Sequence, residues 1–571
     1  MKKKLIFMAM MIAISTPLLA YTWIENAYAS GTIYIKADGS IDPSTANITS
    51  VDNITFTFTG NNYDKIVVEK NNVVVDGVGY NLQGTGSGPG IALYGRTNIT
   101  LRNIEINEFS IGVYLYSSSN NMVSGNNITD SDTGIYLYSS SNNMVSGNNI
   151  IANNFTGVYL YGSSNNMVSG NNITDNDWYG VYLHNSCNNS TVSGNSFVGD
   201  GLFVYNSFGN VVVDNLVNGR PLVYLEDVSD LVVEDAGQVI LVNCNRIRVE
   251  NLTLSNTDVG AHLWNTNSTT ITGNNITNSR VGVYLEASNN STVSGNSFVG
   301  DGLYVSYSFG NVVVDNLVNG RPLVYLEDVS DLVVEDAGQV ILVNCNRIRV
   351  ENLTLSNTIV GAQLWNTNST TITGNNITDN VEGVFLHSSS NNTVSGNHIT
   401  DNEIGSRFYS SSNNTISGNN ITDNDASVYL YASSNNTIYH NNFINNTNQA
   451  IVHNDLIGNF WDNGCEGNYW SNYNGTDLDG DGVGDAELPW EEVDHYPLMN
   501  LYWNPCDINH DLLVNMRDVG RAARAFATKP GDERWNPHAD ITGPIPLEPD
   551  NEVNMRDIGL TARNFGKEHQ H

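Results

Sequence analysis

The chain has 571 residues, of which 40% are apolar and 15% are charged, and this is ample for a large folded body. Its formal charge of −35 argues against binding to nucleic acid or to an anionic membrane, and it suits divalent cations or a high-salt exterior. Five cysteines are too few for a disulfide framework. Cys465 and Cys506 could pair, although nothing in the sequence shows that they do.

The first residues carry an export pattern. Lys2-Lys-Lys4 precedes an apolar run from Leu5 to Ala20, and the small-residue site Ala27-Tyr-Ala29 follows. This order predicts a secretory signal peptide over residues 1–29, with a retained membrane anchor as the weaker alternative. No later stretch is apolar enough to span a bilayer. We therefore expect a protein that is secreted, either extracellular or associated with the cell surface.

One phrase organises the middle of the chain: Ser118-Ser-Asn-Asn-Met-Val-Ser-Gly-Asn-Asn-Ile-Thr-Asp130. Its Asn-Asn core returns at steps of 22 or 23 residues, at Asn142, Asn165 and Asn188, and again at steps of 22 at Asn391, Asn413 and Asn435. A fixed period in this range is typical of a solenoid. Each repeat also contains two short alternating runs between Ser/Asn/Gly clusters, which indicate strands and turns. The sequence therefore predicts an all-β fold, a right-handed parallel β-helix with coils of about 22 residues over residues 30–500.

The alternation predicts which side chains enter the core. Val113, Leu115, Val123 and Ile128 should point inward, whereas Tyr114, Tyr116 and Ser124 should point outward. Stacked asparagines can hydrogen-bond along their own ladder, and asparagine tolerates the left-handed backbone of tight corners. Disorder of a polar low-complexity tract is the alternative, but such a tract would not keep its apolar positions on register.

A long duplication lies within the repeats. Residues 188–277 recur as 289–378 with five differences, which are Phe203/Tyr304, Tyr205/Ser306, Asn206/Tyr307, Asp258/Ile359 and His262/Gln363. Each copy contains an acidic insert whose first version offers Arg220, Glu226, Asp227, Asp230, Glu234 and Asp235 as candidate catalytic groups. Because the second copy repeats all of them, duplication of a structural or binding unit is the better interpretation. Catalysis is left open, with no catalytic residue assigned.

The repeat phrase, the segment Asn218-Gly-Arg-Pro-Leu-Val-Tyr224 and the ending Gly467-Asn-Tyr-Trp-Ser-Asn-Tyr473 carry a family resemblance. Together they resemble NosD-like surface β-helix proteins of the carbohydrate-binding and sugar-hydrolysis (CASH) class. The resemblance implies the fold. The NosD name is associated with maturation of a copper centre. The sequence, however, shows no cluster of methionine and histidine of the kind that copper delivery needs. We therefore carry over the fold and not the copper role.

Outward aromatic residues recur in rows along the predicted coils. Flat amphipathic rings on an exposed face are suited to stacking on sugars, but stacking between coils would favour the same residues. The candidate carbohydrate-binding residues are Tyr114, Tyr116, Tyr136, Tyr138, Tyr159, Tyr161, Trp264, Trp365, Tyr429 and Tyr431.

Asp477-Leu-Asp-Gly-Asp-Gly-Val-Gly-Asp485 places carboxylates at alternate positions of a glycine-rich loop. Hard oxygen ligands at this spacing suit calcium, and without a cation the aspartates would repel one another. A plain acidic turn is the alternative. The predicted ligands are Asp477, Asp479, Asp481, Val483 through its carbonyl, and Asp485.

Residues 501–571 lack the repeat and contain two loops with calcium-ligand spacing, each followed by a predicted helix. The first ligand set is Asp507, Asn509, Asp511, Leu513 through its carbonyl, Asn515 and Asp518. The second, in a longer loop, is Asp540, Thr542, Asp550, Asn554 and Asp557. In the first helix the periodicity places Met516, Val519, Ala523 and Phe526 on one apolar face.

Two such loop-helix units resemble a type I dockerin, the calcium-folded module that binds a cohesin. The resemblance implies calcium as the cofactor, a cohesin-domain protein as the partner, and Met516, Arg517, Met555 and Arg556 as the residues that open the two recognition helices. The whole sequence thus predicts a secreted cell-surface β-helix that binds or presents extracellular polysaccharide and docks to a cohesin. The alternatives are a polysaccharide hydrolase or lyase, and a purely structural component of an envelope or filament.

Overall fold

A computed structural model describes residues 31–453, 458–478, 482–502, 516–529, 553 and 558. The predicted signal peptide lies outside these residues. Contacts divide the chain into two compact units, Met1–Gly320 and Arg321–His571, which we describe separately. Within the described residues, no helix has both the length and the apolar character needed to cross a membrane.

The first unit is built from short strands. In chain order they are β1 (Thr32–Ile35), β2 (Ile41–Asp42), β3 (Ile48–Thr49), β4 (Thr55–Phe58), β5 (Lys65–Val68), β6 (Val73–Asp76), β7 (Asn81–Gln83), β8 (Pro89–Tyr94), β9 (Ile99–Arg102), β10 (Glu105–Asn107), β11 (Ile111–Tyr116), β12 (Met122–Ser124), β13 (Asn127–Thr129), β14 (Thr133–Tyr138), β15 (Met144–Ser146), β16 (Asn149–Ile151), β17 (Thr156–Tyr161), β18 (Met167–Ser169), β19 (Asn172–Thr174), β20 (Tyr179–His184), β21 (Thr191–Ser193), β22 (Ser196–Val198), β23 (Leu202–Tyr205), β24 (Val211–Val213), β25 (Leu216–Val217), β26 (Arg220–Glu226), β27 (Val232–Val233), β28 (Gln238–Val242), β29 (Arg248–Glu250), β30 (Thr253–Ser255), β31 (Val259–Trp264), β32 (Thr270–Thr272), β33 (Asn275–Thr277), β34 (Val281–Glu286), β35 (Thr292–Ser294), β36 (Ser297–Val299), β37 (Leu303–Ser306), β38 (Val312–Val314) and β39 (Leu317–Val318).

Strands three apart in the chain pair in parallel, so one coil contains three strands. Sheets of nine strands contain β11, β14, β17, β20 and β23 on one face and β12, β15, β18, β21 and β24 on another. Residues at equivalent positions of the repeat are partners, as in Tyr114↔Tyr136 and Tyr136↔Tyr159. The predicted parallel β-helix is therefore confirmed as a parallel β-solenoid. Its opening is irregular, since β1 pairs with β2 and β3 with β4 in antiparallel fashion.

The core follows the predicted alternation. Val113, Leu115, Val123 and Ile128 are all buried in one continuous cluster. Glycine is required at Gly134, where a Cβ atom would lie only 2.6 Å from the carbonyl oxygen of Gly157 in the next coil. Burial of one apolar row by the next coil is what holds the stack together.

The two asparagines of the pairs at 120–121, 142–143 and 165–166 have different roles. The first, such as Asn142 with φ of 60°, adopts the left-handed conformation at the corner. The second, Asn143, is buried and accepts hydrogen bonds from Asn121 N (2.9 Å) and Asn121 Nδ2 (3.0 Å). The predicted ladder and the predicted corner thus belong to adjacent residues.

The coil stack of the first unit changes at the insert. The sheet that contains β20 ends at β23, whereas β26, β28, β31, β34 and β37 belong to a different sheet of twelve strands. β25 turns back into β26 in an antiparallel pair, with Val217 opposite Arg220. The Gln238 amide accepts from Leu202 N (2.9 Å) and donates to Leu202 O (3.0 Å), and it thereby covers the exposed edge of β23.

The second unit repeats the same construction. Its strands are β40 (Arg321–Glu327), β41 (Val333–Val334), β42 (Gln339–Val343), β43 (Arg349–Glu351), β44 (Thr354–Ser356), β45 (Val360–Trp365), β46 (Thr371–Thr373), β47 (Asn376–Thr378), β48 (Glu382–His387), β49 (Thr393–Ser395), β50 (His398–Thr400), β51 (Ile404–Tyr409), β52 (Thr415–Ser417), β53 (Asn420–Thr422), β54 (Ala426–Tyr431), β55 (Thr437–Tyr439), β56 (Asn442–Ile444), β57 (Ile451–His453) and β58 (Tyr469–Trp470), and its helix is α1 (Met516–Arg524). Two six-stranded sheets, β41-β43-β46-β49-β52-β55 and β44-β47-β50-β53-β56-β58, are parallel throughout.

Aromatic side chains close the last coils of the second unit. Trp470 stacks on Phe443 with ring centroids 4.4 Å apart. Its Nε1 donates to the buried carboxylate of Asp494 at 2.8 Å, which also accepts from Asn468 N at 2.8 Å. Asp494 therefore ends an asparagine ladder with an acceptor that needs no further coil.

Helix α1 lies where the first recognition helix is predicted, but its apolar face differs. Ala522 and Ala525 are buried with Val553 and pack against Ile558, whereas Ala523 and Phe526 are exposed. The predicted face was wrong because α1 ends at Arg524, so Phe526 lies beyond the helix. Thr528 and Val553 form an antiparallel bridge, with Val553 N donating to Thr528 O at 3.1 Å.

Candidate functional site

The aromatic rows of the first unit form stacks that contact one another. Tyr136 and Tyr159 have ring centroids 4.7 Å apart and planes 7° apart, and Tyr114 stacks on Tyr136 at 5.4 Å. All three rings are buried in a cluster separate from the solenoid core. The expectation that they are exposed was wrong, because strands about 4.8 Å apart bring identical outward rings into face-to-face contact.

The neighbouring row is more open and is also stacked. Tyr116, Tyr138 and Tyr161 are half-buried and stack at 5.4 and 5.3 Å, with planes within 8° of parallel. Neighbouring rings of this row lie face to face. Stacking between coils, the alternative left open by the sequence, is therefore present in these rows.

The other predicted aromatic residues are also buried. Trp264, Trp365, Tyr429 and Tyr431 are each less than 10% exposed. Trp264 stacks on Phe208, and Trp365 stacks on His387 with centroids 3.9 Å apart. These are packing contacts, and they correct the prediction that both tryptophans present open faces.

A polar and aromatic cluster lies in the first unit, where β20 and β23 meet β31 and β34. At its centre the His262 ring lies between Phe203 (4.6 Å) and Tyr284 (5.0 Å). His262 is fully buried, and neither ring nitrogen has a hydrogen-bond partner among the described residues. Oε2 of Glu286 lies 3.5 Å from His262 Nε2 and also lacks a hydrogen bond within the described chain.

A buried carboxyl group lies beside this pair. Asp258 Oδ2 accepts hydrogen bonds from Gly201 N (2.9 Å) and Gly180 N (3.1 Å). Burial, reinforced by the neighbouring Asp200 carboxylate, holds the pKa of Asp258 well above its usual range. The positive charge of Arg280 acts in the opposite direction.

Arg280 connects the buried groups with the surface. Its guanidinium lies 3.9 Å above the ring of Trp178, a cation–π contact between turns of two different coils. Arg280, Tyr182 and Tyr284 are half-buried, whereas Trp178 is buried. We call these residues the His262 cluster, and its members are Trp178, Tyr182, Phe203, Asp258, His262, Arg280, Tyr284 and Glu286.

Sequence reasoning missed the His262 cluster, although one signal pointed to it. The duplicated segments differ at five positions, and three of the first copy's residues there are Phe203, Asp258 and His262. A fourth, Tyr205, stacks on Trp264 at 6.1 Å beside the cluster. The differences between copies therefore concentrate at one place in the first unit.

The acidic groups of the insert have structural partners. Glu226 accepts from Gly209 N (2.6 Å), Asn210 N (3.2 Å) and Tyr224 Oη (2.7 Å). Asp230 receives a bidentate contact from Arg246, at 2.7 Å for each bond. The second copy has the same pairing between Arg347 and Asp331. These contacts support a structural role for the duplicated acids.

The predicted calcium ligands are only partly within the described chain. Asp477 Oδ2 accepts from Gly482 N at 2.9 Å, and Asp485 Oδ2 accepts from Leu478 N at 2.7 Å, so both carboxylates belong to one folded loop. Val483 is also described and bridges to Leu498. The remaining predicted calcium ligands and two of the recognition residues lie outside the described residues. They are Asp479, Asp481, Asp507, Asn509, Asp511, Leu513, Asn515, Asp540, Thr542, Asp550, Asn554, Asp557, Met555 and Arg556. Met516, Arg517 and Asp518 open α1, where only their backbone is described.

Soft donor atoms are distributed unevenly. Cys187, Cys244 and Cys345 are buried, and burial raises the pKa of each thiol, to about 11 for Cys187. The described residues contain no group of three or more His, Cys, Asp or Glu side chains arranged to hold a metal ion. The sequence analysis did not single out methionine. In the structure, three methionines occupy one register position in successive coils, with Met122↔Met144 and Met144↔Met167 as partners.

Comparison with curated proteins gives no match. Among solved structures, an alginate lyase from Paenibacillus sp. str. FPU-7 is 16% identical, with 52% of this chain and 94% of that chain covered and a TM-score of 0.25. The A-module of a mannuronan C-5 epimerase from Azotobacter vinelandii is 12% identical, with 70% and 90% covered and a TM-score of 0.17. Similarity at this level identifies no activity.

The family comparison is more decisive. The sequence profile of the family described as periplasmic copper-binding protein (NosD) matches residues 24–206, 198–336 and 326–475, which is more than half of the chain. These segments span the strands of both units up to the closing aromatic residues. The chain therefore belongs to the NosD family.

Proposed function

We propose that this protein is an exported solenoid that binds extracellular polysaccharide at the His262 cluster and is attached to a cohesin-bearing partner by a calcium-dependent, dockerin-like module. The observation that carries the first part is the buried pair His262 and Glu286. Both ring nitrogens of His262 and Oε2 of Glu286 lack hydrogen bonds within the described chain. Buried polar groups are almost always hydrogen-bonded in folded proteins. Hydroxyl groups of a bound sugar would supply the missing partners.

The surroundings of the pair suit a sugar ligand. Tyr182 and Tyr284 are half-buried aromatic rings, of which Tyr284 stacks on His262, and Arg280 adds a cation held over Trp178. Sites for small polar ligands combine apolar or aromatic walls with a few polar groups that fix orientation. Glu286 keeps 9% of its side chain exposed, so a ligand at the surface could reach its carboxylate.

Binding to immobilised polysaccharides and a glycan array tests this proposal. His262→Gln is the informative variant, because the second copy of the duplication carries Gln363 at the same position and folds around it. We expect His262→Gln and Glu286→Gln to lower glycan affinity at least tenfold, with the β-sheet circular dichroism spectrum unchanged. The matched control is Gln363→Ala, which should keep full affinity. Unchanged binding by both cluster variants would refute the assignment.

A polysaccharide hydrolase or lyase is the second candidate, favoured by the adjacent ionisable groups His262 and Glu286. An acid–base pair of this kind can move a proton at a glycosidic oxygen or at a sugar carbon. Incubating the wild type with the glycans that it binds separates the two functions. Release of products that Glu286→Gln abolishes would indicate an enzyme, and binding without products would indicate a binding protein.

The docking part of the proposal rests on the C-terminal residues. Val553 belongs to the second predicted calcium unit, yet it packs on Ala522 and Ala525 of the first. The bridge from Thr528 to Val553 joins the same two units through the backbone. Two loop-helix units that share a core are what a dockerin-like module requires. Calorimetric titration with a panel of cohesins, in calcium and in EDTA, tests the partner.

A further inference from the structure

We infer that Asn474 is a deamidation site, where the side-chain amide is converted into aspartate or isoaspartate. Asparagine is followed by glycine at four positions of the chain, Asn218, Asn319, Asn463 and Asn474. Glycine has no side chain to hinder a reaction at its backbone nitrogen, so the chemistry is open to each of these pairs. The surroundings of the four asparagines differ, and those of Asn474 permit the reaction. This inference does not depend on the proposed function.

The reaction is intramolecular and needs only water. The backbone nitrogen of Gly475 attacks Cγ of Asn474 and forms a C–N bond, and the Cγ–Nδ2 bond breaks as ammonia leaves with the proton of that nitrogen. The resulting succinimide ring is opened by water at either carbonyl group. NH2 is thereby exchanged for OH without oxidation or reduction, and the chain gains one negative charge. The attack requires a carboxamide that can rotate and a glycine N–H that no other group holds.

Asn474 meets both requirements. Its side chain is exposed, and no hydrogen bond joins it or Gly475 N to another residue that the structure describes. Packing also requires the glycine, because a Cβ atom at position 475 would lie 2.1 Å from Tyr473 Oη. That hydroxyl is held in place, since it donates to Ala486 O at 2.7 Å. The fold therefore requires glycine directly after an asparagine whose amide is unrestrained.

The amide of Asn218 is restrained although its side chain is also exposed. Its Nδ2 donates to the backbone carbonyls of residues 255–256 at 2.6 and 2.8 Å, and its Oδ1 accepts from Gly199 N at 3.0 Å. These three bonds must break before Cγ can turn towards the next nitrogen, which raises the barrier. Asn319, at the equivalent position of the duplicated segment, accepts from Gly300 N at 2.9 Å.

Both reacting groups of the pair Asn463-Gly464 are engaged. Asn463 Oδ1 accepts from Cys465 N at 3.0 Å and from Glu466 N at 2.9 Å. The nitrogen that would attack, Gly464 N, donates to Asp462 Oδ1 at 2.9 Å. The side chain of Asn463 is exposed, so hydrogen bonding and not burial distinguishes it from Asn474.

Ageing the full chain at mildly alkaline pH, followed by peptide mapping with mass spectrometry, tests the assignment. We expect Asn474 to deamidate at least about tenfold faster than the other three asparagines, and to give isoaspartate as part of the product. Water enriched in oxygen-18 should place one heavy oxygen atom in the product, because water opens the ring. In guanidinium chloride that abolishes the β-sheet signal, the four rates should converge, because the restraining hydrogen bonds are lost.

Two variants define the site. Asn474→Gln should abolish the fast deamidation and keep the circular dichroism spectrum, because glutamine would have to form a larger ring. Asn472→Gln, an exposed asparagine that precedes tyrosine, is the matched control and should leave the rate at Asn474 unchanged. Equal rates at the four asparagines in the folded protein, or faster deamidation of Asn218 than of Asn474, would overturn the assignment.

Discussion

The ring of Phe203 lies face to face with the imidazole of His262, with centroids 4.6 Å apart and planes 7° apart. Phe203 belongs to β23, where one sheet of the first unit ends, and His262 belongs to β31 in another sheet. This stacked pair therefore joins two parts of the first unit that the insert separates along the chain. At the equivalent positions the duplicated segment has Tyr304 and Gln363.

Replacing Phe203 tests how much this contact stabilises the first unit. Phe203→Ala should lower the free energy of unfolding by about 3–5 kcal/mol, because it removes a buried ring and leaves a cavity beside His262. Phe203→Tyr copies the second segment and should cost less than about 1.5 kcal/mol. Chemical denaturation followed by circular dichroism measures both, and equal losses would contradict the packing role.

The asparagine ladder allows a comparison between neighbouring residues. Asn171 is buried, accepts from Asn148 N and Nδ2 at 3.0 Å each, and donates to Val145 O at 3.0 Å. Asn172, the next residue, is exposed. Asn171→Ala removes the side-chain partner of two buried backbone groups, Asn148 N and Val145 O, and of the Asn148 amide, and it should cost about 2–4 kcal/mol.

Asn172→Ala is the matched control and should change the stability by less than about 0.5 kcal/mol. Thermal melts of the two variants, recorded side by side, provide the measurement. Similar melting temperatures would show that the buried ladder does not stabilise the coil stack.

A buried carboxyl group in the first unit predicts a pH dependence. Asp301 occupies a ladder position and accepts from Ser279 N at 3.1 Å, and burial raises its pKa to about 7. The folded form therefore keeps a proton between about pH 4 and 7 that the unfolded chain releases. The stability due to this group is present below pH 4 and is lost as the pH rises to 7 and above.

Asp301→Asn removes that loss, because an amide carries no charge. The variant should match the wild type at pH 4 and exceed its stability at pH 8 by up to about 4 kcal/mol. Asp130→Asn, at an exposed corner, serves as the control and should show no such trend. An Asp301→Asn difference that is the same at both pH values would contradict a buried carboxylate.

Much of the solenoid could be predicted from the sequence, because its information is local and periodic. Alternation identifies Val113 and Leu115 as core residues, and the recurring Asn-Asn pairs identify ladder and corner. Alternation also places Tyr136 on the opposite side of its strand, but it does not say what covers that side. In the fold, Tyr114 and Tyr159 cover it, so an outward residue is nonetheless buried.

The His262 cluster could not be assembled from the sequence. Its members extend from Trp178 to Glu286. They meet because the parallel stack of coils is interrupted at the insert by an antiparallel pair, in which Val217 lies opposite Arg220. The repeat period carries no information about that change. Only the differences between the duplicated copies marked Asp258 and His262 as unusual.

Calcium removal tests the proposed C-terminal module. EDTA should unfold residues 501–571 while most of the β-sheet signal remains, because two of the three proposed ligand sets lie in that module and the third lies in the Asp477–Asp485 loop, outside the solenoid core. Limited proteolysis with and without calcium should show cleavage after residue 501 only in EDTA. Simultaneous loss of the module and the β-sheet signal would contradict an independent calcium-folded domain.

The most direct test of the account is a glycan-array measurement of the wild type, His262→Gln and Gln363→Ala in parallel. We predict that the wild type and Gln363→Ala bind the same polysaccharides and that His262→Gln loses those signals. Identical signals for all three proteins, or the absence of any polysaccharide ligand for the wild type, would contradict polysaccharide recognition at the His262 cluster.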